Sequence, residues 1–124
     1  MKNRILSVWD LDVFQLAHKL VLKIYKITNR FPKSELYALA SQMRRAASSI
    51  PMNLAEGAAR GSRAEYKRYV AIARGSVGEV TYQLYLSRDL KYVDNPTFSA
   101  LHDDFERVGR MLTRLAQSLS AKNK

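Results

Sequence analysis

Histidine, carboxylate and cationic side chains are the groups here that could do chemistry, because the 124 residues contain no cysteine. That removes thiolate nucleophiles, zinc–thiolate sites and disulfides together. The histidines are His18 and His102, and neither belongs to a Glu-x-x-His pair, so the ligand set of a di-iron carboxylate bundle is missing. No HExxH, Gly-rich phosphate loop or nucleophile elbow occurs. Glu56 and Glu79 are candidates for semi-buried carboxylates. Paired with Arg44, Arg45 or Arg74, they suit the fixing of helix or subunit register better than acid–base work. The expectation is a protein that is not an enzyme and that needs no cofactor or metal.

Positive charge is the group in excess. Twenty-one Lys and Arg against 11 Asp and Glu give +10 at pH 7 and a pI near 10.1. On so small a domain this suggests a polyanionic partner, most often nucleic acid, with solubility or an acidic protein partner as the competing explanations. A hydrophobic fraction of 47% excludes a disordered basic tail. Helical spacing sorts the cations into stripes. Lys19, Lys23, Lys26 and Arg30 share one narrow face of the first helix. Arg107, Arg110 and Arg114 lie on the outer face of the last. Arg63, Lys67 and Arg74 share a flank of the third, within a dense cluster that begins at Arg44 and Arg45. Asp103 and Glu106 stand four residues before Arg107 and Arg110 and are expected to neutralise them in part. The first-helix stripe has no such partners and is the better phosphate-binding candidate. A solvated helix face is the competing reading of each stripe. No RNA-binding aromatic box or recognition-helix signature predicts sequence-specific readout.

Helices must hold these groups, and the sequence predicts four, over about 12–30, 35–60, 63–92 and 96–120, in one domain spanning 1–124. Phe14, Ala17, Val21 and Ile24 set the stripe of the first, which ends before Phe31-Pro32. Ser34 is a candidate N-cap for the second, with Glu35 in its first turn. Leu36, Ala40, Met43, Ala47, Ile50 and Leu54 keep one rhythm across Pro51. That predicts a kinked continuous helix, with Ser48 and Ser49 helping to satisfy the carbonyl left free; a break at Ile50 is the alternative. Ser62 with Glu65 reads as a capping box for the third helix, and Asp94-Asn95-Pro96 as the start of the fourth. Phe98, Leu101, Phe105, Val108 and Leu112 give the cleanest seam. The tail from Ala121 to Lys124 is expected to fray. Short loops between long helices predict an all-α, antiparallel up-down-up-down four-helix bundle.

A second seam lies opposite the core. Ile72, Gly75, Glu79, Tyr82 and Leu86 follow helical spacing on the outer side of the third helix, and Ser48, Met52, Ala55 and Ala59 do so on the second. Together with Arg45 and Glu56 these are the candidate oligomer-interface residues; a wide core wrapping both helices is the alternative. The segment Met1–Asp10 is too polar for a signal peptide, and uncharged runs fall short of a membrane span. The default is a soluble cytoplasmic protein.

The segments QMRRAASSIPMNLAEG (42–57) and IARGSVGE (72–79) resemble the four-helix-bundle proteins encoded in 23S rRNA intervening sequences. WDLDVFQLAHKLVLKIY (9–25) and FPKSELYAL (31–39) fit the same pattern, and the resemblance covers residues 8 to 120. It implies a ring-shaped homopentamer and kinship to the accessory variability proteins of diversity-generating retroelements, which are basic pentamers that bind nucleic acid and associate with a reverse transcriptase. The family's "ribosomal" label reflects gene location. The resemblance marks Ser49, Ile50, Pro51, Asn53, Ala55, Glu56 and Gly57 on the second helix, and Gly75, Ser76 and Glu79 on the third, as assembly and packing positions. Five copies would multiply the +10 fivefold, which favours a polyanionic partner further.

Overall fold

Four helices account for most of residues 7–120, the part of the chain that this computed structural model describes. They are α1 (Asp12–Thr28), α2 (Leu39–Ala59), α3 (Arg63–Asp89) and α4 (Asn95–Ser120), with short 3-10 turns at Val8–Asp10 and Lys33–Glu35. No strand occurs among the described residues. The expectations for residues 1–6, as part of a leader-free N-terminus, and for the tail 121–124 lie outside the described residues.

Each helix buries one apolar stripe in a shared core. Leu20, Ile24, Ile50, Leu54, Leu84 and Leu112 are fully buried, and each such side chain contributes roughly 1.5–3 kcal/mol. Every helix packs against two others, α1 on α2 and α4, α3 on α2 and α4. Cross-helix contacts run in opposite senses. Gly57, Ser49 and Met43 of α2 meet Tyr66, Ser76 and Ser87 of α3 in turn, and Tyr85 and Val77 of α3 meet Phe98 and Gly109 of α4. Residues 60–62 leave the chain too little length to do anything except double back.

α2 continues without interruption through a buried Pro51, so a break at Ile50 does not occur. The expected role of Ser48 and Ser49 there is corrected. Pro51 leaves the Ala47 carbonyl without its helical donor. Ser48 Oγ instead donates to the Arg44 carbonyl at 2.7 Å, and Ser49 turns its hydroxyl to Ser76 at 2.8 Å.

The start of α2 also differs from expectation. Ser34 is no N-cap; it lies in the 3-10 turn, and α2 begins at Leu39. The cap comes from Glu35, whose Oε1 accepts the Leu39 N–H at 3.3 Å while Oε2 accepts the Tyr92 hydroxyl at 2.8 Å. One carboxylate thereby ties the α1–α2 connection to the α3–α4 connection. At the other helix starts the local signals hold: Ser62 Oγ accepts the Glu65 N–H at 3.1 Å, and Asp94 Oδ1 accepts the Thr97 N–H at 2.8 Å. α3 ends in a Schellman turn. Lys91 N–H donates to the Arg88 carbonyl and Tyr92 N–H to the Ser87 carbonyl, with Lys91 in the left-handed region at φ 67°.

Candidate interface surfaces

Of the ten residues marked by family resemblance, Ile50 and Pro51 are buried and Ala55 is half-buried, and the other seven fall into two sets. Ser49, Gly57 and Ser76 join α2 to α3, and Asn53 supports Ser49 from within α2. Asn53 Nδ2 donates to the Ser49 carbonyl and hydroxyl at 2.7 and 2.9 Å. Ser76 Oγ lies 3.3 Å from the Ile72 carbonyl and donates to it. The Ser49 and Ser76 hydroxyls meet at 2.8 Å, so Asn53, Ser49 and Ser76 form one hydrogen-bonded chain across the two helices. A Cβ at Gly57 would lie 2.8 Å from Tyr69 Cβ, so the helices meet there without room for a side chain. Glu56, Gly75 and Glu79 face outward and are exposed. The expectation of semi-buried Glu56 and Glu79 is thereby corrected. Glu56 pairs at 3.4 Å with Arg60, its own i+4 neighbour. Arg44 bonds Thr28 Oγ1 and Asn29 Oδ1 and lies over the Tyr25 ring, which leaves it turned towards α1.

On the outer row of α3, Ile72 and Tyr82 are exposed, at 42% and 64%, while Leu86 is half-buried against the core. On α2, Arg45, Met52 and Ala59 are exposed, and Ser48 and Ala55 are half-buried. Ser48, Met52 and Ala55 line an apolar groove of about 340 Å³ between α2 and the start of α1, with Trp9, Phe14 and His18 opposite. Trp9 packs edge-on to Phe14 at 5.1 Å, and Gln15 Nε2 donates to the Trp9 carbonyl at 2.6 Å. Sequence reasoning missed Trp9 because it precedes the periodic stretch. It also missed Gln83, which is 5% exposed and whose Oε1 has no hydrogen-bond partner among the described residues. Its position beside the α3 core stripe was the available signal.

The cations distribute differently from their sequence stripes. Lys19 and Arg107 come together over a cleft that also contains Asp12. Lys23 lies 3.9 Å from Asp104 of α4. The first-helix stripe is thus not without acidic partners, because the neighbouring helix supplies one. On α4 the expected Asp103–Arg107 and Glu106–Arg110 pairs are not formed. Both carboxylates lie instead within 4.0 Å of His102 Nδ1. Arg110 faces α3 and shares a groove with Arg74, while Lys26, Arg30, Arg63, Lys67 and Arg114 are exposed. The α4 stripe is therefore split, with Arg107 on the α1 side and Arg110 on the α3 side.

Arg60 and Arg68 are likewise committed within the molecule. Arg60 Nη2 donates to the Tyr69 hydroxyl at 2.6 Å, and Arg68 is held at 3.1 Å by Glu65. Both guanidinium groups lie over the Tyr69 ring. Hydrogen bonding to Tyr69 raises the Arg60 pKa and hydrogen bonding to Glu65 raises that of Arg68, while Arg68 lowers the Glu65 pKa.

A last cluster crosses α3 and α4. Tyr85 packs edge-on to Phe98 at 4.9 Å and to His102 at 5.5 Å, and Arg88 lies over both Tyr85 and Phe98. His102, Asp103 and Glu106 place one potential ligand atom each within 4.8 Å of one another, on a half-buried and exposed surface. No helix among the described residues is long and apolar enough to cross a membrane.

Residues 9–114 match the family described as 23S rRNA-intervening sequence protein. Among solved structures, a protein of unknown function from the S23 ribosomal protein family of Bacteroides thetaiotaomicron is similar at 19% identity and a TM-score of 0.78, over 85% of this chain and 95% of that one. That likeness concerns the fold. No curated protein matches the chain.

Proposed function

The chain belongs to the 23S rRNA-intervening sequence protein family, and from that premise we propose that it is a non-catalytic, oligomeric basic bundle that binds RNA or DNA without sequence preference in the cytoplasm. What carries this reading is uncommitted charge. Lys19, Lys26, Lys67, Arg74, Arg107, Arg110 and Arg114 make no ion pair among the described residues, within a chain of net charge +10. Exposed cations without partners attract phosphates and release their counterions. The oligomer is supported by two apolar surfaces, the Trp9–Met52 groove and the Ile72–Tyr82 row. Its pentameric number rests on family resemblance.

Titration of labelled RNA and DNA at low and rising salt tests the reading. Binding at micromolar or tighter affinity with a steep salt slope is expected, and absence of binding to both polymers at low salt removes it. Charge reversal at Lys19, Lys23 and Lys26 flattens the slope if α1 is a contact surface.

A second reading is a scaffold that docks an acidic protein such as a reverse transcriptase, and the Trp9–Met52 groove favours it, since exposed apolar grooves mark protein-interaction sites. It requires a specific partner in pull-downs that survives nuclease treatment.

A further inference from the structure

Along the groove between α1 and α4 the cations follow one line. The two helices lie antiparallel there, with Leu16 and Lys19 beside Met111 and Arg107, Lys23 beside Asp104, and Lys26 and Ile27 beside Ala100 and Thr97. Lys19 and Arg107 border one space of the groove, about 370 Å³, and Lys23 and Lys26 border the next, about 350 Å³. The spaces belong to one track, because Lys23 stands one helical turn from Lys19, and its partner Asp104 stands one turn from Arg107. Lys19, Lys23 and Lys26 span about 10 Å of that track. All four cations are exposed, and Lys19, Lys26 and Arg107 have no ion-pair partner among the described residues. The groove also holds two carboxylates, Asp12 at the first residue of α1 and Asp104. Asp104 lies 3.9 Å from Lys23 Nζ, beyond hydrogen-bond reach, with the two side chains 35% and 58% exposed.

We propose that this groove takes the phosphate backbone of RNA or DNA, and that Asp104 occupies Lys23 in the place of a phosphate until one displaces it. The proposal rests on the nucleic-acid reading above and deepens it by naming the track and the group that competes for it. Two observations favour a polyphosphate over an acidic protein. Protein interfaces are anchored by large apolar and aromatic side chains, and none of those exposed among the described residues lines either space. Three of the four cations are lysines, point charges that neutralise a phosphate from any side, without the planar fork by which arginine grips a carboxylate. An ion pair this long and this exposed holds its partners weakly, so a phosphate exchanges with the Asp104 carboxylate at little cost. The displaced carboxylate stays beside the track and opposes the backbone.

The test uses a labelled single-stranded RNA and a labelled DNA duplex, both of mixed sequence, in anisotropy titrations at several salt concentrations, with melting temperatures measured on every variant. Asp104→Asn keeps the shape of the side chain and frees Lys23. It should tighten binding by about twofold to fivefold and steepen the salt slope by about 0.7 on a single strand or about 0.9 on a duplex. Asp89→Asn makes the same change in net charge and frees Arg88 on α3, outside the groove, and should leave both quantities unchanged. The double variant K19A/R107A alters only exposed side chains. It should weaken binding on the order of tenfold or more and lower the single-strand slope by about 1.4, at about 0.7 per phosphate contact. The proposal is overturned if Asp104→Asn binds no more tightly than Asp89→Asn, or if K19A/R107A binds like wild type. It is equally overturned if polyglutamate displaces the labelled probe as well as the unlabelled polymer does. Loss of binding on neutralising Lys67 and Arg74 of α3, with K19A/R107A unaffected, would overturn it and leave the broader function standing. A wild type that binds neither probe removes both.

Discussion

Lys91 shows how one residue can oppose the turn it completes. It ends α3 in the left-handed region, where a Cβ costs about 1–2 kcal/mol and glycine costs nothing comparable. Lys91→Gly is expected to stabilise the protein by about 1 kcal/mol, seen as a raised urea midpoint at unchanged m-value. Gln83 is a second residue at odds with its surroundings, because it buries an acceptor with no hydrogen-bond donor among the described residues. Replacement by leucine keeps the bulk and removes the orphaned oxygen. Gln83→Leu is therefore expected to be neutral or stabilising in the same measurement.

Between helices, glycines of one residue type have opposite roles. Gly57→Ala forces a methyl against the Cβ of Tyr69, an atom that moves only with its backbone. The expected loss is about 1–3 kcal/mol. A Cβ at Gly78 meets nothing within 4 Å, so Gly78→Ala should gain about 0.8 kcal/mol of helix propensity. Thermal melts of the pair separate packing from propensity. The helix starts add a pH dependence. Thr97 holds the Asp94 carboxyl below its ordinary range through side-chain and then backbone hydrogen bonds, and Arg68 holds Glu65 below its own. A depressed carboxylate contributes stability that is complete above the unfolded-state pKa, about 3.9 for Asp and 4.3 for Glu. That contribution is lost as pH falls through the lower folded-state value. Melting temperature should therefore drop between about pH 5 and pH 2, and Asp94→Asn should remove the Asp94 share while keeping a side-chain acceptor at the cap.

The same elements mark what the sequence could convey. The four helices, the Ser62 and Asp94 caps and the passage through Pro51 were legible, because caps and periodicity act within a few residues. The start of α2 was not, since Glu35 is positioned by a tyrosine 57 residues away. The fate of the cations was legible only as stripes. Spacing along one helix says nothing about Asp104 of α4 reaching Lys23 of α1, and it cannot choose between Arg110 and His102 as the neighbour of Glu106, since both stand four residues from it. The ring cluster of Tyr85, Phe98 and His102 escaped because its members come from two helices.

At the scale of the whole molecule, the two apolar surfaces lie on different helices and differ in shape, one a groove and one a row. A pair of unlike surfaces suits head-to-tail contacts that close into a ring, whereas a two-fold dimer would need one self-complementary patch. Met52→Lys and Tyr82→Lys change side chains that are each 64% exposed. Each should reduce the mass seen by light scattering while leaving the helical signal unchanged, and a wild type that runs as a clean monomer would remove the oligomer altogether. The ends of the bundle differ as well. At one end Glu35 binds two connections together, so lengthening either disturbs both. At the other, Gly61 sits at φ 83° with nothing within 4 Å of where its side chain would be. A foreign peptide grafted at Gly61, ahead of the Ser62 cap, would be carried on a bundle that hardly registers it, whereas the same graft at Tyr37 would loosen both connections at the tied end.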